Sequence, residues 1–299
     1  MKKLIPPLAV ISAALLWSFD GFLRQELHDV SSFLIITIEH TLGALLFVPF
    51  LIKGWGEVKS MNQRTWVSVL WISICGGILG TFFYTKALSY IDYINLSVVV
   101  LLQKFQPFFA IALASVILKE PMTKRFLSLA GLAMVGGYLV TFGNVSIGQW
   151  NDKMVIAALL ALLAVFSWGS STVLGKHALN RLSFTIVTAL RLALTAVVAG
   201  IVLVYTQGNI SDIQLTTSQW QPLLIIVFST GSIALFIYYY GLQRLPASHT
   251  AIYELFWPIS ALIFDWAIRD KNLVPIQFFG VAILLGSIMM LTQEKTSHD

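Results

Sequence analysis

Four charged side chains stand where charge is costly. Glu39, Lys104, Arg191 and Glu254 each lie about two helical turns or more inside a long apolar run, near 10 Å from its closer end. A charge at mid-bilayer costs roughly 2.5–3.5 kcal/mol on insertion scales, so such a side chain usually faces a wet cavity or a partner. Two carboxylates and two bases at similar depth can compensate one another when a site is empty. They can also divide a zwitterion between them, a carboxylate taking the amine and a lysine or arginine the carboxylate. Glu39 and Glu254 are further candidates for proton coupling, and His40 beside Glu39 is a third group able to take up a proton. The plainer alternative is a set of internal salt bridges that fixes helix packing, with small net gain.

Rings and prolines surround these charges. Trp17, Trp168, Tyr84, the rings of "FIYYYGL" (Phe236 to Leu242, with Tyr239 at its centre), Tyr253 and Trp257 are candidate lining residues, and Tyr253 and Trp257, four apart beside Glu254, are expected to share one helix face. Rings beside acids suit an amphipathic organic solute, including a cation held by cation–π contact. Pro107 in "FQPFFAIAL" and Pro258 in "FWPISALIF" break a helix at mid-membrane depth, which is tolerable only where protein or water satisfies the freed carbonyl. Asp20, Lys86 and Asp265 lie nearer span ends and are read as snorkelling to the interface.

The elements that must hold these residues are membrane helices. The chain has 299 residues, 57% hydrophobic and 11% charged, with mean hydropathy +0.81. Soluble domains carry roughly 25% charged residues, and a soluble fold of this size could not hide so much apolar surface. Runs of about 20 apolar residues fall at 4–23, 33–52, 66–89, 95–118, 124–142, 154–175, 184–205, 220–243, 248–268 and 273–292. The first is read as a span rather than a cleaved leader, because like segments recur along the chain. Twelve Lys and Arg residues fall on one side of this arrangement and four on the other, which predicts both termini cytoplasmic and an even number of crossings. The net charge of +5 is spread over short connections, a pattern of membrane topology rather than of nucleic-acid binding. The single cysteine, Cys75, excludes an intrachain disulfide.

The two halves of the chain resemble each other. "LLWSFDGFL" matches "VFSWGSSTVL", "SFLIITIEHTLGAL" matches "SFTIVTALRLALTA", and "FQPFFAIAL" matches "FWPISALIF". Trp17 thereby pairs with Trp168, His40 with Arg191 and Pro107 with Pro258, each at an offset of 151. Gly131 and Gly137 pair with Gly280 and Gly286 at a slightly smaller offset. Each repeat holds five spans, an odd number, so the halves must enter the bilayer from opposite sides. Such an inverted repeat supports two related conformations, one open to each face, and is a transporter's symmetry. The expected fold is all-α and polytopic, ten helices in two inverted five-helix repeats at 1–145 and 152–293, with a tail at 294–299.

Two five-span units, a tryptophan in the first span of each, the "QPFFAIALASVILKEPMT" segment and a glycine-bearing last span resemble the EamA-like units of the drug/metabolite transporter superfamily. The second unit departs from that pattern, since "DWAIRDKNLV" lacks the Glu-Pro end that Glu120-Pro121 supplies in the first. The resemblance implies a secondary transporter of the bacterial inner membrane, moving a small organic metabolite by alternating access, with export as the usual direction and amino acids or related zwitterions as cargo. A multidrug or quaternary-amine transporter of the same fold is the alternative, and an intramembrane enzyme is the rival from another class. Against the enzyme, the sequence has no metal-spaced His/Asp/Glu cluster, no G-x-S-x-G elbow and no phosphate loop. No cofactor is expected. The expected partners are a small-molecule substrate, the lipid bilayer and protons as a coupling ion, with monomer and homodimer both open.

Overall fold

Helices that are apolar around most of their circumference are stable only against lipid or one another, and a span in lipid must satisfy its own backbone. A computed structural model describes residues 2–27, 29–88, 102–103, 105–142, 152–207, 215–257, 259–260, 263 and 274–293. Lys104, Pro258, Asp265 and the tail at 294–299 lie outside the described residues.

The helices fall on the apolar runs. They are α1 (Ile5–Gln25), α2 (Ser32–Lys53), α4 (Gln106–Leu113, continued by Ala114–Leu118), α5 (Lys124–Phe142), α6 (Asp152–Leu179), α7 (Phe184–Gln207), α9 (Ala247–Tyr253) and α10 (Pro275–Gln293). Between them, α3 and α8 are rods of three pieces each: Gln63–Trp71, Ile72–Leu79 and Gly80–Leu88 in α3, and Thr217–Ile225, Ile226–Ile233 and Ala234–Arg244 in α8. Among the described residues no strand occurs. Within the described residues six stretches are long and apolar enough to cross a membrane, and two shorter apolar helices, Ile5–Asp20 and Gln106–Leu118, join them. The protein is a polytopic α-helical membrane protein, and its helices are consistent with ten crossings.

Helix pairing carries the repeat into three dimensions. α2 packs on α7, α5 on α10 and α4 on α9, while α1 packs on α8 as α3 packs on α6. Exchanging the two halves maps this set of contacts onto itself. Counterpart helices also run in opposite directions. Thr37, Gly43 and Gly54 of the first repeat approach Gly200, Leu192 and Ile186 of the second, so one chain descends as the other rises. In the α5–α10 pair, a Cβ on Gly136 would stand 2.8 Å from the Leu284 nitrogen and one on Gly280 would stand 2.7 Å from the Val140 nitrogen. Small residues let these two backbones touch, and Gln277 Nε2 donates to the Val140 carbonyl at 2.9 Å beside them.

The central pieces of α3 and α8, Ile72–Leu79 and Ile226–Ile233, are π-helical and occupy corresponding places in the two repeats. The wider π turn leaves carbonyls looking for donors, and π segments recur at functional sites. Here each receives a donor from the opposite repeat. Thr195 Oγ1 of α7 donates to the Ser73 carbonyl at 3.0 Å, and Trp17 Nε1 of α1 donates to the Thr230 carbonyl at 3.0 Å.

Candidate functional site

Between the repeats lies a cavity of about 910 Å³, lined by residues from α1 to α4 and from α6 to α9. Its lining runs from the middle of the bundle toward the α1–α2 connection, where Leu27, Val30 and Ser32 form part of the wall. The α2–α3, α4–α5, α6–α7 and α8–α9 connections lie on the opposite face. Among the described residues none of these four connections lines the cavity.

Two aromatic pairs face into it. Trp17 of α1 and Tyr238 of α8 have ring centroids 5.1 Å apart, and Tyr84 of α3 and Trp168 of α6 have centroids 5.7 Å apart, at interplanar angles of 54° and 58°. The tryptophans are counterparts in the repeat, and the tyrosines sit in the counterpart rods α3 and α8, so one wall repeats the other. Gly80 makes room for the second pair: a Cβ there would lie 2.3 Å from Trp168 Nε1.

One charged cluster belongs to the first repeat. Arg24 Nη2 donates to Glu39 Oε2 at 2.8 Å, and the same guanidinium pairs with Asp20 one turn earlier on α1. Thr230 Oγ1, from the π segment of α8, donates to Asp20 Oδ1 at 2.6 Å. Gly231 next to it leaves space for the acid, since a Cβ would fall 2.8 Å from Glu39 Oε1. His40 is buried and its Nδ1 lies 2.9 Å from the Ile36 carbonyl in its own helix.

A second polar cluster gathers four helices around Glu254, at the end of α9. Tyr238 Oη donates to Glu254 Oε1 at 2.7 Å, Thr172 Oγ1 to the same oxygen at 3.3 Å, and Gln106 Nε2 to Oε2 at 2.7 Å. Arg191 stands close by on α7. Its Nη1 donates to the Tyr239 hydroxyl at 2.8 Å, and among the described residues its buried Nε has no hydrogen-bond partner. Arg191 thus lines the cavity with a guanidinium whose five N–H donors are not all used within the described residues.

The placement departs from the expectation at several residues. Glu39, His40, Arg191, Glu254, Trp17, Trp168, Trp257 and Pro107 all line the cavity. Glu39 and Arg191 do not neutralise each other: Glu39 pairs with Arg24, and Arg191 with a tyrosine hydroxyl. Asp20 is not a snorkelling residue but part of the cavity wall, held by Arg24 and Thr230. Tyr239 is fully buried behind Arg191 and orients it rather than lining the space. Tyr253 is buried too, and its hydroxyl accepts from Thr292 Oγ1 at 3.3 Å, so it does not share the Trp257 face. The physical reason is that α9 stops at Tyr253: a proline at 258 has no N–H for the Glu254 carbonyl, and the four-residue spacing loses its helix. Pro107 sits in the first turn of the described helix α4, where its missing N–H does no harm.

The EamA-like transporter family model matches residues 4–142 and again residues 155–293. The chain belongs to this family. Among similar proteins, the riboflavin transporter ImpX of Fusobacterium nucleatum is 34% identical over 290 residues, covering 96% of this chain and 97% of that protein. The biotin transporter of Escherichia coli K12 is 21% identical over 282 residues, covering 93% and 90% of the two chains. A solved crystal structure at 15% identity shares the fold, with a TM-score of 0.77 over 98% of this chain and 99% of the other. This EamA-like protein is therefore a membrane transporter of small molecules and not an enzyme.

Three parts of the EamA-like cavity escaped the sequence reading. Arg24 is not among the site residues expected from the sequence, although Asp20 and Arg24 have the i,i+4 spacing of a helical ion pair, which is the signal that finds them. Tyr84, and Tyr238 within "FIYYYGL", are rings that the sequence offers for the lining, but their pairing with Trp168 and Trp17 follows only once the "ISICGGIL" and "IVFSTGSI" segments of the two rods are aligned. Gln106 stands out in the sequence only as a polar residue beside Pro107 in an apolar run, with no sign of its partner, and nothing sets Thr172 apart from a packing residue.

Proposed function

We propose that this protein carries a planar heteroaromatic metabolite with polar substituents, of the kind that riboflavin represents, across the bacterial inner membrane by alternating access. The observation that carries the reading is the pair of symmetric Trp–Tyr walls, Trp17–Tyr238 and Trp168–Tyr84, bounding a cavity of about 910 Å³. Pockets of roughly 300–1,000 Å³ suit drug-sized ligands with apolar surface and a few oriented polar groups. Flat rings gain about 0.5–1.5 kcal/mol per aromatic contact beyond their burial. Arg191 supplies donors for a carbonyl or anionic substituent, while Glu254 and Gln106 supply an acceptor and a polar partner beside it. The similarity to a riboflavin transporter over the full length supports the same class of solute.

An amino acid fits this geometry less well. Its amine needs an available carboxylate, whereas Glu39 is held by Arg24 and Glu254 already accepts from three neutral donors. The cavity is also large for so small a solute. A quaternary amine meets the Arg191 guanidinium in the same space, which opposes it, and has no hydrogen to offer the acceptors there. With both termini cytoplasmic, the mouth at the α1–α2 connection faces outward. The direction of net flux in a secondary transporter follows the gradients of solute and coupling ion, so export and uptake are two uses of one cycle. Glu254, whose partners among the described residues are neutral, is the acid best placed to exchange a proton with the cavity.

The test is binding and flux with the purified protein. Riboflavin fluorescence should be quenched on binding, and proteoliposomes should show saturable flux that Trp168→Ala and Arg191→Met both reduce. Thermal stabilisation by a panel of amino acids with none by riboflavin or related heterocycles would replace this reading with the zwitterion one.

A further inference from the structure

Alternating access requires the shut face of the cavity to part. Besides a Ser68–His177 hydrogen bond at 2.8 Å, the contacts across that face include two carboxylates gripping helix ends. Glu57, in the short helix Trp55–Lys59 that joins α2 to α3, accepts the Ser183 amide N–H on Oε2 at 2.6 Å and the Ser183 hydroxyl on Oε1 at 3.0 Å. Ser183 stands at the head of α7. Glu120, in the α4–α5 connection, treats α9 in the same way. Its Oε1 accepts the Ala247 N–H at 2.6 Å, and its Oε2 accepts the Ser248 N–H at 3.0 Å together with the Ser248 hydroxyl.

The first turn of a helix offers unpaired N–H groups and the positive end of its dipole, so a carboxylate there is held by charge-assisted hydrogen bonds. α9 depends on that help, because Pro246 at its N-cap makes no side-chain cap. Both acids come from the first repeat and both helix heads from the second. The internal repeat supplies a contrast within the molecule. Ser32 heads α2 as Ser183 heads α7, 151 residues later. No side-chain cap is formed by Ser31 at the N-cap of α2, and Ser32 lines the cavity at its mouth. The same serine is clamped on the shut face and stands in the wall on the open one.

We propose that Glu57 and Glu120 are the gate carboxylates of the transport cycle. They hold one face shut by gripping the N-terminal ends of α7 and α9 across the repeat boundary, and they release those ends when the cavity opens to that face. This rests on the transport activity of the family and not on the identity of the solute. It gives the Glu-Pro element Glu120-Pro121 a mechanical use: the glutamate reaches the second repeat, and the proline ends any helical continuation next to it. Lys119 just before it has φ of 56°, a left-handed turn that closes α4 and presents Glu120 to α9.

The test uses the full chain with Cys75→Ser and with Thr81→Cys on the cavity wall. A membrane-impermeant maleimide is applied separately to intact cells and to inverted vesicles, and folded protein is quantified by size exclusion in detergent. The parent should label from one face. Glu57→Ala with Glu120→Ala should shift labelling about tenfold toward the other face, a change within reach of losing hydrogen bonds to charged groups. Glu57→Gln with Glu120→Gln, which keeps one acceptor oxygen per clamp, should fall between. Labelling from each face equal to the parent's overturns the gate. Should the alanine pair not fold, Glu57→Cys with Ser183→Cys, joined by a short thiol-reactive bridge, decides the matter. The bridge should confine labelling to the open face and its reduction should release it; labelling indifferent to the bridge overturns the gate.

Discussion

Gly231 of α8 lies against Glu39 of α2 so closely that a Cβ on it would stand 2.8 Å from Oε1 and 3.2 Å from Cγ. The π segment that carries Gly231 thus reaches into the opposite repeat at the acid paired with Arg24. Gly231→Ala should push Glu39 off its partner, at about 1–3 kcal/mol for overpacking a filled site. The measurement is thermal unfolding in detergent together with flux, and both should fall. Gly131→Ala is the control, since a Cβ there meets nothing within 4 Å. It should be neutral or slightly stabilising in the middle of α5.

Arg24 pairs with two acids on one wall, so its loss leaves both without that cation. Arg24→Gln should cost about 3 kcal/mol, the low end for breaking a buried pair, because the cluster touches the wet cavity. Glu39→Gln in the same chain should recover part of that loss. A double-mutant cycle on thermal or denaturant unfolding reads the coupling, and additive effects of the two changes would deny that these residues act as a unit.

The spans and the repeat were legible because lipid imposes length and apolarity on every crossing. A shared offset then exposes duplication even where single matches are weak. Depth was legible for the same reason, and it led to Glu39, Arg191 and Glu254. Partnership was not. Which donor meets Glu39 depends on whether α1 stops at residue 23 or continues to Gln25, and that last turn brings Arg24 into the wall. Hydropathy is equally blind to the π segments, since a run such as "ISICGGIL" is as apolar in a π turn as in an α turn. The Tyr253–Trp257 expectation failed where a helix was extended through a stretch that a downstream proline interrupts.

The symmetry of the aromatic walls makes a paired prediction. Trp168→Ala and Trp17→Ala should each raise KM for a flat heterocycle about threefold to tenfold with a smaller effect on maximal flux, as expected for losing one stacking partner. Trp17→Ala should also lower thermal stability, because its indole N–H holds the Thr230 carbonyl in the π segment. Among the described residues no such indole hydrogen bond is made by Trp168, so its replacement should act on KM with less effect on stability. Saturation curves and unfolding midpoints for the two variants separate these roles.

Glu254 joins α4, α6, α8 and α9 through Gln106, Thr172 and Tyr238, so any change in its charge is felt by helices of both repeats. As a carboxylate it accepts from all three donors. As a carboxylic acid it gains an O–H of its own, for which the Tyr238 or Thr172 hydroxyl must rotate from donor to acceptor, so protonation rearranges the junction between Gln106 in the first repeat and its partners in the second. Glu254→Gln keeps the size, keeps one accepting oxygen and fixes the neutral form. If Glu254 couples protons to transport, this variant should lose flux driven by a pH gradient while retaining solute-for-solute exchange, and its exchange rate should no longer vary with pH. Proteoliposomes with and without an imposed pH difference measure both. Gradient-driven flux that survives the substitution would remove Glu254 from coupling and leave it as a structural junction between the repeats.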